Sequence, residues 1–388
     1  MKVTYLLRCL SMMRGGGETQ HLSWIRALKR LGVEIEVISG RPMVAPAVYP
    51  PEPDLDTVTL RSPYMRDFVY RVQSKRGFGR LSMWSLHADE ELFCKLAFAR
   101  ISAGAKQPDL VLAHALHQAP RLSPGNWPVA VYLPGPAHPR YTDDLRKADA
   151  LISDGWAARQ LPEMLGRPVD NVVKGVDIEV FTPAGPNLRD ALGLREKRVV
   201  ICVTRLVPIK NLHMLLDAIA RARTTDPAIV LVLVGEGPLL AELQARAAAL
   251  GVADAVRFAG YVPQAETAAW YRTADLFALS SDFDNSPNVV LEAMAAGLPI
   301  VATDVGGLPD YVTTPTGGSL TPKGDAQAFA AAMRGWLSNK DRAAAAGHYN
   351  RLEAVARFSW AVSAANMLAV YQRVVGQFAG RTATAVAS

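Results

Sequence analysis

Residues 280–310 read SSDFDNSPNVVLEAMAAGLPIVATDVGGLPD and place two carboxylates, Asp284 and Glu292, eight residues apart. Ser286 and Pro287 form an N-cap and first-turn pair, and Gly297 with Pro299 forms a stop, which together predict a helix over 287–296. The N-terminus of such a helix presents the free amides of Asn288 and Val289 and a positive dipole end, a setting suited to a diphosphate. Along a helix the Asp284–Glu292 spacing spans roughly 12 Å, about the reach of a sugar joined to a nucleotide. One carboxylate can then hold sugar hydroxyls while the other accepts from ribose hydroxyls. The plainer reading gives Glu292 an ordinary cation partner and leaves Asp284 in a turn.

Residues 203–212, VTRLVPIKNL, add two cations, Arg205 and Lys210, between an apolar run and a helical pattern. An arginine fork and a lysine point charge at a strand's carboxyl end suit a diphosphate, and fixed cations stabilise the charge a departing nucleotide gains. Surface salt bridges are the alternative. Gly15, Gly16 and Gly17, followed by Glu18, come after the first apolar run and let backbone approach a ligand closely. A dinucleotide fingerprint would need glycine where Gln20 stands, which weakens a dehydrogenase reading. His114 and His138 each follow a predicted strand, and His114 is the one placed to face a cleft. Asp282 and Asp284 form a D-x-D pattern of the kind that binds a metal. Arg205, Lys210 and the helix amides already supply positive charge, so no metal is expected.

Parallel βαβ units must position these groups. Predicted strands at 2–7, 33–38, 109–113, 129–133 and 149–153 alternate with helical patterns at 18–31 and 85–105. The alternation stops over 176–198, which holds Pro183, Gly185, Pro186 and Gly193. It then restarts with strands at 199–203, 229–234, 256–259, 276–279 and 299–303, and helices at 211–223, 238–250 and 288–296. The expectation is an α/β fold of two doubly wound Rossmann-like domains facing across a cleft, with ligands at the carboxyl ends of strands. The expected divisions are a domain at 1–175, a linker at 176–198, a domain at 199–358 and a terminal helix with a frayed tail at 359–388.

Composition narrows the class. At 388 residues, two domains are the default; half the residues are apolar and a fifth charged, which excludes a largely disordered chain. No apolar run is long enough to span a bilayer, and Arg8 interrupts the first run, which reads as a buried strand and not a signal peptide. Cys9, Cys94 and Cys202 show neither metal spacing nor a disulfide framework and read as small buried hydrophobes in a reducing cytoplasm. The excess of positive charge lies in the first half. Residues 1–175 hold 23 Lys and Arg against 17 Asp and Glu, whereas 176–388 hold 19 of each. Much of that excess falls between Arg61 and Trp84, where Arg66, Arg71, Lys75, Arg76 and Arg80 interleave with Tyr64, Phe68, Tyr70 and Phe78. An amphipathic helix there would lie on an anionic bilayer; an ordinary helix with solvated arginines is the other reading.

These segments resemble the GT-B-fold retaining glycosyltransferases, the group-one family of bacterial polysaccharide and glycolipid enzymes. The markers are GGGE at 15–18, VTRLVPIKN at 203–211, GEGP at 235–238, FAGYVP at 258–263 and SPNVVLEAMAAGLPIVAT at 286–303, in the family's order over nearly the whole chain. The resemblance implies transfer of a sugar from a nucleotide diphosphate sugar to a glycan, lipid-linked or small-molecule acceptor, with retention and without metal or cofactor. It implies polysaccharide biosynthesis; the cysteines add a cytoplasmic location, the cations of 61–84 add peripheral association at the inner membrane face as one reading, and no nucleic-acid partner is expected. Arg205 and Lys210 would bind the diphosphate, Glu292 the ribose and Asp284 the donor sugar. Gly15–Gly17 would approach the phosphates and acceptor, His114 would help position the donor, and Tyr261 and Val262 would meet the base through backbone. FSW at 358–360 resembles the family's ending, whose last helix returns to the first domain. Three positions depart from the pattern: Asp284 for glutamate, Lys174 for the asparagine before GVD, and Asp310 for the glutamate of GGxPE. Two alternatives remain at this stage, a nucleotide-sugar epimerase of the same fold and a non-catalytic nucleotide-sugar-binding protein.

Overall fold

The computed structural model describes residues 1–11, 16–42, 52–62 and 79–387. The chain divides into two compact units, Met1–Lys174 with Ser363–Ser388, and Gly175–Val362.

In the first unit the strands are β1 (Lys2–Leu6), β2 (Glu34–Pro42), β3 (Asp56–Ser62), β4 (Leu110–His114), β5 (Val129–Leu133), β6 (Ala150–Ser153) and β7 (Asp170–Asn171). They form one parallel sheet in the order β3-β2-β1-β4-β5-β6-β7. The order reverses between β1 and β4, the kind of switch point at which such sheets bind ligands. Helices α1 (Gly16–Arg30), α2 (Gly79–Ser102), α3 (Ala119–Leu122), α4 (Thr142–Arg146) and α5 (Gly155–Leu165) connect them. The central strands are buried along their length because helices cover both faces, so VAVYL of β5 is apolar throughout. β3 and β7 were not expected from sequence: DTVTLRS alternates polar side chains at a sheet edge, and β7 has two residues.

The second unit holds β8 (Arg198–Val203), β9 (Ile229–Val234), β10 (Val256–Gly260), β11 (Leu276–Leu279), β12 (Ile300–Thr303) and β13 (Gly318–Thr321). These are again parallel, in the order β10-β9-β8-β11-β12-β13. Its helices are α6 (Leu212–Arg223), α7 (Leu240–Ala249), α8 (Gln264–Thr273), α9 (Asn288–Ala295), α10 (Ala326–Leu337) and α11 (Lys340–Phe358). Residues 176–198, expected as a linker, are built into this unit. Phe181 is buried against Tyr271, with ring centroids 5.7 Å apart, and Arg351 donates to the carbonyls of Ile178 and Phe181 at 2.9 Å.

The last helix, α12 (Trp360–Ala387), belongs to the first unit from Ser363 onward. Ser363 accepts from Trp24 Nε1 at 2.6 Å and donates to the Val173 carbonyl at 2.6 Å, while the buried Tyr371 and Tyr5 hydroxyls share a hydrogen bond of 2.7 Å. These contacts tie the chain's end to its first strand.

Candidate functional site

Because every strand of the second unit runs the same way, the loops after β8 to β12 emerge at one edge. The loops after β8 and β11 are joined there by hydrogen bonds. Ser280 Oγ donates to the Lys210 carbonyl at 2.9 Å, and the Asp282 amide donates to the Ile209 carbonyl at 2.8 Å. Asn211, at φ 44°, caps α6 by accepting from the Met214 amide and sends its Nδ2 to Asp282 Oδ1 at 2.9 Å. The central contact is Lys210 Nζ to Asp284 Oδ1 at 2.6 Å, with both side chains about one-seventh exposed. The two carboxylates of the D-x-D pattern therefore already take an amide and an ammonium. Asp284 Oδ2, Asn288 Oδ1 and Ser281 Oγ, by contrast, are buried without a hydrogen-bond partner. Unpartnered polar atoms are rare in folded interiors, and these three fall within eight residues of chain.

Glycine fixes this loop from two sides. The Gly307 amide donates to the Asp284 carbonyl at 2.9 Å, and a Cβ on Gly306, at φ +56°, would lie 2.0 Å from that carbonyl oxygen. On the far side, Gly235 at φ +132° would put a Cβ 1.9 Å from the Thr204 carbonyl, so only glycine lets the loop after β9 lie against the one carrying Arg205. Arg205 itself is exposed and pairs with no carboxylate among the described residues.

Glu292 is the fifth residue of α9 and 8% exposed, and its Oε2 accepts from the fully buried Tyr271 hydroxyl at 2.8 Å. Asn288 and Val289 are the first two residues of α9, where amides lack an intrahelical acceptor. Ser286 is not the N-cap; Pro287 takes that place with no side-chain cap, and the Ser286 hydroxyl bonds Tyr311 instead. Only 288–292 of the Asp284–Glu292 interval is helical, so the 12 Å expected for a continuous helix does not apply. Tyr261 is 69% exposed just past β10, with the half-buried Val262 beside it. Cys202 on β8 is buried, and burial pushes its thiol up to about 12, out of range for a nucleophile at neutral pH.

In the first unit, Gly16 and Gly17 form the opening turn of α1, which starts two residues earlier than expected; Gly15 lies outside the described residues. His114 ends β4 with Nε2 sealed from solvent and unpartnered. Burial, with the neighbouring His117, brings its imidazole down to about 4. Its ring lies 4.3 Å from that of His21, a wholly buried histidine with neither ring nitrogen bonded. Tyr5, Trp24 and Tyr132 surround His21 at 4.9–6.0 Å, and its pKa is driven well down by burial and by His114. Sequence reading missed His21 because it falls on the apolar face of a helix. It missed Tyr271 because nothing local ties WYRT to Glu292. His138 is exposed, and its Nδ1 accepts from the Arg140 amide, so it serves a turn. Lys174 is buried, with Nζ 3.7 Å from Asp154 Oδ2. Cys9 is half-buried, not buried like Cys94 and Cys202, and all three thiols are free.

The cavity of about 520 Å³ in this unit lies elsewhere, at the amino ends of the strands, between Arg189, Arg198, Asp275 and Trp336. Its arginines are spent on carboxylates: Arg189 on Asp275, Arg195 on Asp190 and Arg198 on Asp226. The chemistry-bearing residues sit at the opposite edge.

Both units carry parallel sheets of the doubly wound class, in which ligands bind at the carboxyl ends of strands. Comparison with known proteins names the family. Residues 186–353 match the family described as Glycosyl transferases group 1. A GDP-mannose-dependent alpha-(1-6)-phosphatidylinositol monomannoside mannosyltransferase of Mycolicibacterium smegmatis is 34% identical over 209 residues, covering 51% of this chain and 55% of the relative. D-inositol 3-phosphate glycosyltransferase 2 of Catenulispora acidiphila is 35% identical over 243 residues, 59% of this chain and 57% of the relative. The chain thus spans little more than half the length of these curated relatives. Solved structures match it over nearly its whole length. HepE of Anabaena, solved with UDP, aligns at TM-score 0.71 and 20% identity over 96% of this chain and all of that one. Sucrose-phosphate synthase from Thermosynechococcus elongatus aligns at TM-score 0.77 and 20% identity over 97% and 99%. The fold is that of the GT-B glycosyltransferases.

Proposed function

We propose that the chain is a retaining glycosyltransferase that binds a nucleotide diphosphate sugar at the carboxyl edge of the second unit's sheet and needs no metal ion. The observation that carries this reading is the Lys210–Asp284 pair inside the matched family segment. A carboxylate holds the ammonium in place before any ligand arrives, and keeps one buried oxygen unpartnered. Lys210, Arg205 and the first amides of α9 would take the diphosphate, Glu292 the ribose, Asp284 the sugar, and Tyr261 and Val262 the base. Bond breaking moves negative charge onto the departing diphosphate, and cations already in place stabilise it without reorganisation. Cation neutralisation by Lys210 and Arg205 would do the work a metal does elsewhere. Retention rests on the resemblance to the retaining enzymes, as does a positioning role for His114 and for Gly15–Gly17.

Glu292→Gln, Arg205→Ala and Lys210→Ala are each expected to lower transfer by about 10²–10³ with the fold intact, as loss of one preorganised charge contact does. Wild-type transfer is expected to survive EDTA. Near-normal turnover in two of the three variants, or chelation that abolishes turnover until magnesium or manganese is restored, contradicts the reading.

An anionic, lipid-linked acceptor at the inner membrane face fits the charge excess of residues 1–175 and the cations of 61–84, of which 63–78 lie outside the described residues. One relative's name specifies a phosphatidylinositol mannoside, which is an anionic lipid, and the other's an inositol phosphate, which is anionic without a lipid. No helix among the described residues is long and apolar enough to cross a membrane, so attachment would be peripheral. Flotation should require anionic vesicles, weaken with salt and fall when Arg66, Arg71 and Arg76 become Glu; equal recovery on neutral vesicles contradicts it.

A further inference from the structure

Glu292 is an awkward residue for its place. It is 8% exposed inside the fifth position of α9, among Val290, Leu291, Ala293 and Met294, all buried. An ionised carboxylate there must be hydrogen-bonded. One side chain that meets it comes from α8. Tyr271 is wholly buried, its hydroxyl 2.8 Å from Glu292 Oε2 and 3.3 Å from the Val289 carbonyl. Its ring is clamped edge-on by Phe181 at 5.7 Å and tilted against Phe277 of β11 at 6.0 Å. Phe181 belongs to the 176–198 segment and Phe277 to the central sheet, so three separate elements fix where this hydroxyl stands.

We propose that Tyr271 is a positioning residue for the donor site: its hydroxyl holds the Glu292 carboxylate in the orientation that receives the ribose hydroxyls. This rests on Glu292 as the ribose acceptor. The tyrosine touches no substrate and acts only through Glu292. Burial and the Glu292 charge both raise the Tyr271 pKa well above its ordinary value, so it stays a donor throughout the working pH range.

Tyr271→Phe keeps the ring and deletes only the donor. The probes are UDP and GDP, using whichever stabilises the wild type, and its 2′,3′-dideoxyribose counterpart. Tyr271→Phe should weaken binding of the ordinary nucleotide about 10-fold, in line with a hydrogen bond to a charged group. It should raise KM with kcat changed less than about threefold, the mark of an interaction made equally in ground and transition states. Affinity for the dideoxy nucleotide, which offers Glu292 nothing, should be the same in variant and wild type. Equal weakening for both nucleotides means that Tyr271 merely packs, and overturns the proposal. So does unchanged binding of both when Glu292→Gln weakens the ordinary nucleotide. If Glu292→Gln itself leaves nucleotide binding intact, the ribose reading fails and the proposal goes with it. Should the phenylalanine variant fold poorly, Tyr271→Phe is added to Glu292→Ala, which has no buried charge to strand. Nucleotide affinity within about twofold of Glu292→Ala alone supports action through Glu292, and a further 10-fold loss overturns it.

Discussion

Asp284 carries more of the account than any other side chain. It holds Lys210 through Oδ1, keeps Oδ2 buried and unpartnered, and lends its carbonyl to Gly307. A glutamate, the usual residue in the family this chain resembles, would reach one methylene further and shift the lysine or the sugar. Asp284→Ala is expected to free Lys210 and lose most transfer while nucleoside diphosphate alone still binds. Asp284→Glu should keep transfer and change the ranking of donor sugars. Donor-sugar kinetics compared across the three proteins decide it, and identical values for wild type and Asp284→Ala would remove the residue from the site. The helix that carries Glu292, with Asp284 just ahead of it, was legible in the sequence because a proline and a glycine stop framed it. Their partners were not. Lys210 could be named as a cation but not as the partner of Asp284, since 74 residues separate them and only the β8–β11 pairing brings them together.

At the scale of elements, alternation of apolar runs with helical periodicity located ten strands to within a few residues, because strands buried on both faces read as unbroken apolar runs. β3, β7 and β13 escaped: β3 alternates polar residues at an edge, β7 has two residues, and β13, GSLT at the other sheet's edge, holds one large apolar side chain. The pairing of α1 with β4 has a consequence for acid stability. His21 and His114 are both buried, with rings 4.3 Å apart, and each is held neutral. A histidine whose folded pKa lies below its unfolded value contributes full stability above about pH 6.5. That stability falls away as pH drops, because the unfolded chain takes up the proton first. For His114 the loss runs from about 6.5 to about 4 and amounts to on the order of 3 kcal/mol. Groups that face the pair do not share this behaviour: Tyr5, Tyr132 and Trp24 bear no charge in that range. His117 lies 3.6 Å from Glu90. Melting measured at pH 7.5 and pH 5 should therefore drop markedly for wild type and much less for a His21→Phe, His114→Gln double variant. Equal drops in both proteins would show that the pair is not the acid-sensitive element.

For the whole molecule, the two-unit α/β plan was readable from the restart of the strand pattern near residue 199. The boundary detail was not. Residues 176–198 look like a linker in composition, yet Phe181 and the carbonyls bound by Arg351 make them part of the second unit. Ser363 rejoins the first unit through Trp24, a contact across 339 residues that no local pattern announces. The charge division follows the same plan: residues 176–388 are balanced in charge, while the excess lies in the first half. The central claim is that the carboxyl edge of the second unit's sheet is a nucleotide-sugar site. Its most direct test is thermal stabilisation by a panel of nucleotide diphosphate sugars, since a ligand that binds only the folded state raises the melting temperature with concentration. One class of nucleotide sugar should stabilise the wild type, and Lys210→Ala and Glu292→Gln, though folded, should each lose most of that shift. Stabilisation that is the same in wild type and both variants, or absent for every nucleotide sugar, would contradict the account.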